Sequence, residues 1–179
     1  MNNAAWVKRA DLDATDADLF DGVMAVNVRA PMLMVKAARP HLRESRGCVI
    51  NIGSINGYGG ETNLLPYSVS KGALYTLSRN LADALSYEQI RVYHLIVGWV
   101  LTENEYKYKI ADGLPSDWHE TLAPETTPIG RMTKPDEVAN VVAFFLSDDA
   151  RPFSGTTFEL EQYPFLGRNP TKTGDDSKS

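Results

Sequence analysis

The chain has 179 residues, of which 43% are hydrophobic and 23% are charged, a composition typical of a single globular domain. Its net charge of -5 comes from interspersed acids without a basic stripe, which argues against nucleic acid as a partner. Cys48 is the only cysteine, so an internal disulfide is excluded. We find neither a signal core at the N-terminus nor an apolar run that could span a bilayer, so we expect a cytoplasmic protein with no membrane partner.

The first predicted element is a long helix. Thr15 followed by Asp18 resembles a capping box, and apolar residues recur at roughly helical spacing over residues 19–42. Pro31 predicts a kink in this helix near Asn27. A polar residue at that kink is expected to bond backbone carbonyls that the proline frees.

Strands and helices alternate through the rest of the chain. The predicted elements are a strand at 48–52, a helix at 66–87, a strand at 91–97, a helix at 135–146 and a strand at 156–160. Short β-branched strands between long helices indicate right-handed crossovers and an open α/β sheet with parallel strands. Residues 102–127 lack clear periodicity and are expected to form a mobile or partly helical lid.

Three residues combine into a candidate catalytic group. Tyr67 opens the second long helix, Lys71 follows four residues later on the same helical face, and Ser54 comes just after the first strand. Ligands bind at the carboxyl ends of strands in open α/β sheets, so Ser54 is expected beside a bound substrate oxygen. We expect the ammonium to lower the pKa of the phenol, which ordinarily titrates near ~10. The Tyr-x-x-x-Lys pair alone is also compatible with an exposed tyrosine at a helix start.

The combination of these residues with their context resembles the short-chain dehydrogenase/reductase family. Asn2-Asn3-Ala4 is similar to the family's Asn-Asn-Ala-Gly motif, and Gly98 with Thr102 is similar to the end of its sixth strand, although Val97 replaces a proline. The resemblance extends over residues 2–162 and departs at 160–163, where Leu-Glu-Gln-Tyr replaces Asp-Gly-Gly. It implies a Rossmann-like parallel sheet with flanking helices that is incomplete, because the family's glycine-rich cofactor loop has no counterpart here.

The resemblance also implies an activity and the residues that perform it. The function implied is NAD- or NADP-dependent interconversion of an alcohol and a carbonyl by hydride transfer. The implied catalytic residues are Asn27, Ser54, Tyr67 and Lys71, and the implied cofactor-binding residues are Asn3, Tyr67, Lys71, Gly98 and Thr102. Asn27 would support a proton relay to Lys71, a role compatible with its place at a helix kink.

Other features limit or qualify this interpretation. The glycines at 53, 57 and 59 have the spacing of a phosphate loop, but no helical pattern follows them, so we expect them to let the active-site loop turn. His41, His94 and His119 have no ligand spacing, and no metal site is predicted. We expect one partial domain at 1–166, a disordered tail at 167–179, and a homo-oligomer formed through the two long helices. The alternative function is a non-catalytic homologue that acts as an interaction subunit.

Overall fold

The computed structural model describes residues 1–125 and 127–164, so the predicted tail at 167–179 lies outside the described residues. Its sheet has three parallel strands in the order β1-β2-β3: β1 is Cys48–Ile52, β2 is Arg91–Val97 and β3 is Thr157–Leu160. The predicted α/β class and parallel sheet are therefore confirmed, and the first two strands have the predicted bounds.

Six α-helices surround this sheet in the described ranges. They are α1 Ala17–Met24, α2 Ala30–Ser45, α3 Asn56–Gly59, α4 Leu65–Ala84, α5 Glu103–Ala111 and α6 Pro135–Leu146. None of them combines the length and the apolar character that a membrane crossing requires.

Alternate residues of the strands pack against opposite layers, because successive side chains of a strand point to opposite faces. Val49 and Val92 belong to a buried cluster that includes Val35 of α2 and Ala82 of α4. Ile50, Tyr93 and Leu95 belong to a second cluster on the other face, with Val142 and Phe145 of α6. The buried β-branched runs that predicted the strands therefore form the centre of a three-layer core.

The first predicted helix is interrupted by a wide turn. Ala25–Arg29 is π-helical and lies between α1 and α2, and the prolyl ring of Pro31 lies in the first turn of α2. The N-cap of α1 differs from the prediction, because the Asp16 carboxylate accepts a hydrogen bond from the Leu19 N–H at 2.8 Å. Thr15 instead donates to a backbone carbonyl in the preceding turn.

The segment expected to be a lid is partly helical, as predicted. Thr102 caps α5, its hydroxyl accepting from the Glu105 N–H at 3.1 Å. A 3-10 turn follows at Trp118–Glu120, and Trp118 is buried and stacked on Trp99 with ring centroids 5.6 Å apart. Two stacked indoles therefore attach this segment to the end of β2.

One edge of the sheet is formed by β1. Asn2 pairs with it through its N–H to the Ile50 carbonyl (2.8 Å) and its carbonyl to the Ile52 N–H (3.1 Å). Among the described residues, Asn2 is the one bridge to this edge. Residues 1–3 thus extend the sheet by a single paired position.

Candidate active site

The chain continues along β2 after β1 ends, and this places Ser54 at the carboxyl edge of the sheet. The Gly53 N–H donates to the Leu95 carbonyl at 2.7 Å, and the Ile55 N–H donates to the Val97 carbonyl at 3.3 Å. Both bonds extend the parallel ladder beyond the last residue of the strand. Ser54 is therefore fixed by its neighbours at the edge where α/β sheets bind ligands.

Tyr67 and Lys71 lie in the first turns of α4 and face Ser54. The Ser54 hydroxyl lies close enough to the Tyr67 hydroxyl to act on its pKa. Lys71 is 4% exposed, and its Nζ donates to the Ile52 carbonyl at 2.7 Å and lies 5.6 Å from the centroid of the Tyr67 ring. The structure thus brings together the three side chains that the sequence singled out.

Burial changes the pKa of both titratable groups in this trio. It lowers the pKa of Lys71 to about 8, because an ammonium ion loses hydration inside the protein. Burial raises the pKa of Tyr67, and the hydrogen bond from Ser54 acts in the opposite direction. The net pKa of Tyr67 is therefore raised in this structure, where the Lys71 ammonium binds the Ile52 carbonyl, and its lowering by Lys71 stays a prediction.

The glycines after Ser54 allow the active-site loop to approach α4 closely. A Cβ on Gly57 would lie 2.9 Å from the Lys71 backbone carbon, closer than real side chains approach. Helix α3 begins at Asn56, inside the glycine pattern, but it is only four residues long. The close approach to α4 accounts for Gly57, so this residue positions the loop beside Lys71.

Asn27 is buried in the π-helical turn, where it connects three segments. Its Oδ1 accepts from the Trp6 N–H at 2.7 Å, and its Nδ2 donates to the Trp6 carbonyl at 3.0 Å and the Ser70 hydroxyl at 2.9 Å. The expected bonds to carbonyls freed by Pro31 are replaced by these bonds to Trp6. Asn27 therefore contacts Ser70, the chain neighbour of Lys71.

The residues expected at the cofactor are more widely spread. Asn3 is exposed, whereas its neighbour Asn2 pairs with β1 and donates from Nδ2 to Asn51 Oδ1 at 2.7 Å. Thr102 is exposed at the start of α5. Tyr67 and Lys71, in contrast, lie together at the carboxyl edge of the sheet.

Gly98 follows β2 and is covered by a carboxylate. A Cβ at this position would overlap the Glu161 carboxylate, whose Oε2 accepts from the Trp99 N–H at 3.3 Å. Glu161 stands where the sequence departs from the family's Asp-Gly-Gly. The carboxylate must rotate away before a ligand can contact the face of Gly98 that it covers.

A buried polar network next to the trio was not found by sequence reasoning. Asn51 of β1, Ser78 of α4 and His94 of β2 are each no more than 2% exposed. Asn51 Nδ2 donates to Ser78 Oγ at 2.9 Å, and Ser78 Oγ lies 2.9 Å from His94 Nδ1. A signal was available, because Asn51 and His94 interrupt strands that are otherwise apolar. Within the described ranges, no cluster of three or more His, Cys, Asp or Glu side chains is arranged to bind a metal ion.

Comparison with known proteins identifies the family. The family model described as enoyl-(acyl carrier protein) reductase matches residues 1–161. The chain belongs to the short-chain dehydrogenase/reductase family. Among the relatives of this short-chain dehydrogenase/reductase is an uncharacterized oxidoreductase of Methylorubrum extorquens, 36% identical over 155 residues, which cover 87% of this chain and 60% of the relative. The meso-2,3-butanediol dehydrogenase of Serratia marcescens is 28% identical over 161 residues, covering 90% of this chain and 61% of the relative.

Solved structures support the same fold for this short-chain dehydrogenase/reductase. The L-sorbose reductase of Gluconobacter frateurii, complexed with NADPH and L-sorbose, aligns with a TM-score of 0.85 at 24% identity. The alignment covers 94% of this chain and 66% of the reductase. The chain therefore has a partial Rossmann-like fold, and it spans about three fifths of the length of the curated relatives it matches.

Proposed function

We propose that this short-chain dehydrogenase/reductase interconverts an alcohol and a carbonyl with NAD or NADP as the redox partner. The observation that carries the proposal is that Ser54 and Tyr67 meet at the carboxyl edge of the sheet, beside the buried ammonium of Lys71. The dehydrogenase names of the relatives support the reaction class.

Each side chain has a separate task in the proposed reaction. Tyr67 exchanges the proton of the substrate hydroxyl through its phenolic oxygen. Ser54, next to that oxygen, orients the substrate oxygen. Lys71 supplies the positive charge that favours the phenolate, and Asn27 supports the transfer of protons toward Lys71.

A nicotinamide cofactor fits the residues that are present at one end of its site. The Lys71 ammonium has three N–H donors, and one of them bonds the Ile52 carbonyl in the described part of the chain. The others suit the hydroxyl groups of a ribose, which Tyr67 would also contact. When bound, the nicotinamide accepts or donates the hydride. Gly98 and Thr102 would border it once Glu161 has moved, and Asn3 is proposed to contribute from the end of the sheet.

Titration of NADH fluorescence with the purified chain tests the cofactor part of this proposal. We expect saturable binding in the range of micromolar to millimolar NADH, with weaker binding by Lys71→Met and unchanged binding by Lys36→Met, since Lys36 is exposed on α2. Absence of binding at millimolar NADH and NADPH contradicts the proposal.

A second candidate function is an interaction subunit without turnover. One observation favours it: the Glu161 carboxylate covers Gly98, where the nicotinamide would lie. In either case we propose a homo-oligomer built through α2 and α4, with a small alcohol or carbonyl compound as the ligand of the active form.

A further inference from the structure

We propose that His94 is a positioning residue for the Lys71–Tyr67 pair, holding α4 in the rotation that brings the Lys71 ammonium to the sheet. The inference concerns a residue on β2 that none of the proposed catalytic steps uses. It rests on the proposed function only in that Lys71 and Tyr67 are the reacting pair.

The hydrogen bonds around Ser78 determine which nitrogen of His94 carries the proton. The Ser78 hydroxyl has one proton and donates it to the Leu74 carbonyl at 2.7 Å. It already accepts from Asn51 Nδ2, and it lies 2.9 Å from His94 Nδ1. Because a hydroxyl oxygen accepts two bonds and donates one, His94 must donate from Nδ1. Its Nε2 is then the unprotonated nitrogen.

The imidazole ring packs against the residue that precedes Ser54. A Cβ on Gly53 would overlap His94 Nε2 and lie 2.9 Å from Cε1. The ring also makes an edge contact with Tyr75 of α4, with centroids 5.5 Å apart. His94 thus contacts both the strand end that carries Ser54 and the helix that carries Lys71.

The contacts of Lys71 and His94 lie along one face of α4. Lys71, Leu74 and Ser78 are buried and are spaced at three and four residues, the spacing of neighbours on a helical face. Lys71 bonds the Ile52 carbonyl of β1, and Ser78 bonds Asn51 of β1 and His94 of β2. Two polar attachments about two turns apart, together with the apolar packing of this face, hold the helix in one rotation against the sheet.

The role requires an uncharged ring. Burial and, secondarily, the positive charge of Lys71 lower the pKa of His94 to about 4. The charged or titratable neighbours of His94 are Lys71 and Tyr75 of α4. Tyr58 of α3 packs against Tyr75 and is bonded to Glu159 of β3. A neutral imidazole completes the polar network without placing a second cation near Lys71.

The test is the pKa of Lys71, read from the chemical shift of 13C-labelled lysine side chains as the pH is raised in the full chain. In His94→Leu the bond from His94 to Ser78 and the ring contacts with Gly53 and Tyr75 are lost, so this face of α4 is held less firmly against the sheet and water reaches the ammonium. We expect the pKa of Lys71 to rise from about 8 toward its ordinary 10.5 by roughly one pH unit or more, a tenfold change in acidity. His94→Asn can still donate to Ser78 and is expected to keep the pKa within a few tenths of the wild-type value.

Tyr93→Phe is the matched control. It removes a buried hydrogen bond, from the Tyr93 hydroxyl to the Ala150 carbonyl at 2.9 Å, one residue earlier on the same strand but on the opposite face. We expect it to lower the melting temperature without moving the pKa of Lys71. A purely structural role for His94 predicts the same behaviour for His94→Leu, and that outcome overturns the proposal.

A second pair of variants keeps the test decisive where His94→Leu folds poorly. Gly53→Ala places a methyl group against the imidazole and is expected to raise the pKa of Lys71, whereas Gly53→Ala combined with His94→Ala relieves the overlap. Equal melting temperatures for the single and double variants would overturn the proposed contact. These pKa changes are measured without substrate. If they are observed but the wild-type chain shows no turnover, the result contradicts the proposed function and leaves the positioning role of His94 supported.

Discussion

Lys71 and His94 are two basic side chains that the fold buries, and burial lowers the pKa of each: to about 8 for Lys71 and about 4 for His94. Burying a base without a counter-ion reduces stability in proportion to that lowering, and proteins retain such groups most often at functional sites. The stability of the chain should therefore depend on pH through these two side chains.

The pH dependence of unfolding follows from the sign of these changes. Stability rises with pH wherever the unfolded chain binds more protons than the folded one. For His94 that window runs from about 4 to the ordinary value of 6.5, so stability is fully present above 6.5 and is lost as the pH falls through the window. We expect a loss of about 3 kcal/mol across this window. Urea unfolding at several pH values measures it.

The difference in the free energy of unfolding between wild type and His94→Asn, measured at each pH, separates the contribution of His94 from that of the carboxylates. The substitution should flatten the acid limb of the stability curve, whereas His41→Asn, at an exposed position, should leave it unchanged. Parallel curves for wild type and His94→Asn between pH 6.5 and 4 would show that His94 does not titrate in this way.

Removing the buried ammonium should stabilise the chain. Lys71→Met eliminates the cost of burying a charge and loses one hydrogen bond to the Ile52 carbonyl. At pH 7 we expect the free energy of unfolding to increase by about 1–2 kcal/mol, the difference between roughly 3 kcal/mol of relieved burial and one bond. The gain should shrink as the pH rises from 8 to 10.5, because the wild-type ammonium then loses its charge more readily when folded. Thermal unfolding measures the difference. A lower melting temperature for Lys71→Met than for wild type at pH 7 would show that burial of the ammonium does not reduce stability.

At the scale of the elements, the start of α1 shows how a local choice between neighbouring caps is made. Asp16 has extended backbone geometry and accepts from Leu19, so it is the N-cap, and Thr15 lies one residue outside the helix. Both residues favour helix starts, and sequence alone does not distinguish them.

Replacing this cap gives a simple prediction. Asp16→Ala should lower the free energy of unfolding by about 1 kcal/mol, because the Leu19 N–H loses its acceptor. Asp18→Ala, in the first turn, should cost only a few tenths of a kcal/mol through the helix dipole. Urea unfolding of the two variants measures the difference, and a larger effect at Asp18 would favour the capping box predicted from the sequence.

The elements that sequence predicted well are those with a strong hydrophobic pattern. The runs at 48–52 and 91–97 are mostly apolar and rich in β-branched residues, and both strands have the expected bounds. Helix α5 has mostly polar residues and a weak pattern, so periodicity could not give its bounds, although Thr102 and Glu105 have capping-box spacing. The start of α5 is therefore encoded by its cap and not by hydrophobic periodicity.

The candidate site was predicted in part for a similar reason. Ser54, Tyr67 and Lys71 follow from spacing along a strand end and a helix face, and they lie together in the structure. The interruption of an apolar strand marks His94 in the sequence, but the contacts of His94 and Glu161 join residues far apart in the chain, and no local pattern gives their partners. The direction of the pKa change at Tyr67 also depended on burial, which tertiary packing determines.

At the scale of the whole molecule, α2 and α4 expose apolar side chains. Met32, Leu33 and Met34 of α2 and Val69 of α4 are 37–62% exposed. A groove of about 630 Å³ runs beside them between α1, α2 and α4. Exposed apolar surface of this kind is typical of interfaces, which is consistent with the proposed homo-oligomer.

Charge at this surface should prevent assembly. Leu33→Glu combined with Met34→Glu places two carboxylates where a second copy would pack, and we expect the oligomer to dissociate at micromolar concentrations. Light scattering after size exclusion measures the mass. Leu12→Glu, at a site 77% exposed before α1, is the control and should leave the mass unchanged. A wild-type chain that is monomeric at every concentration contradicts the proposed assembly.

Whether the chain reduces a nicotinamide cofactor is measured by the absorbance at 340 nm of the purified chain with NAD or NADP and a panel of small alcohols and polyols, compared with that of Tyr67→Phe. We expect measurable reduction of the cofactor by wild type, and a loss of at least about a hundredfold in Tyr67→Phe while NADH affinity stays within a few-fold, because proton exchange is removed while Lys71 remains to contact the ribose. Tyr87→Phe, at a tyrosine that is 97% exposed, should match wild type. Turnover retained by Tyr67→Phe, or no turnover by wild type on any alcohol despite cofactor binding, would contradict the account.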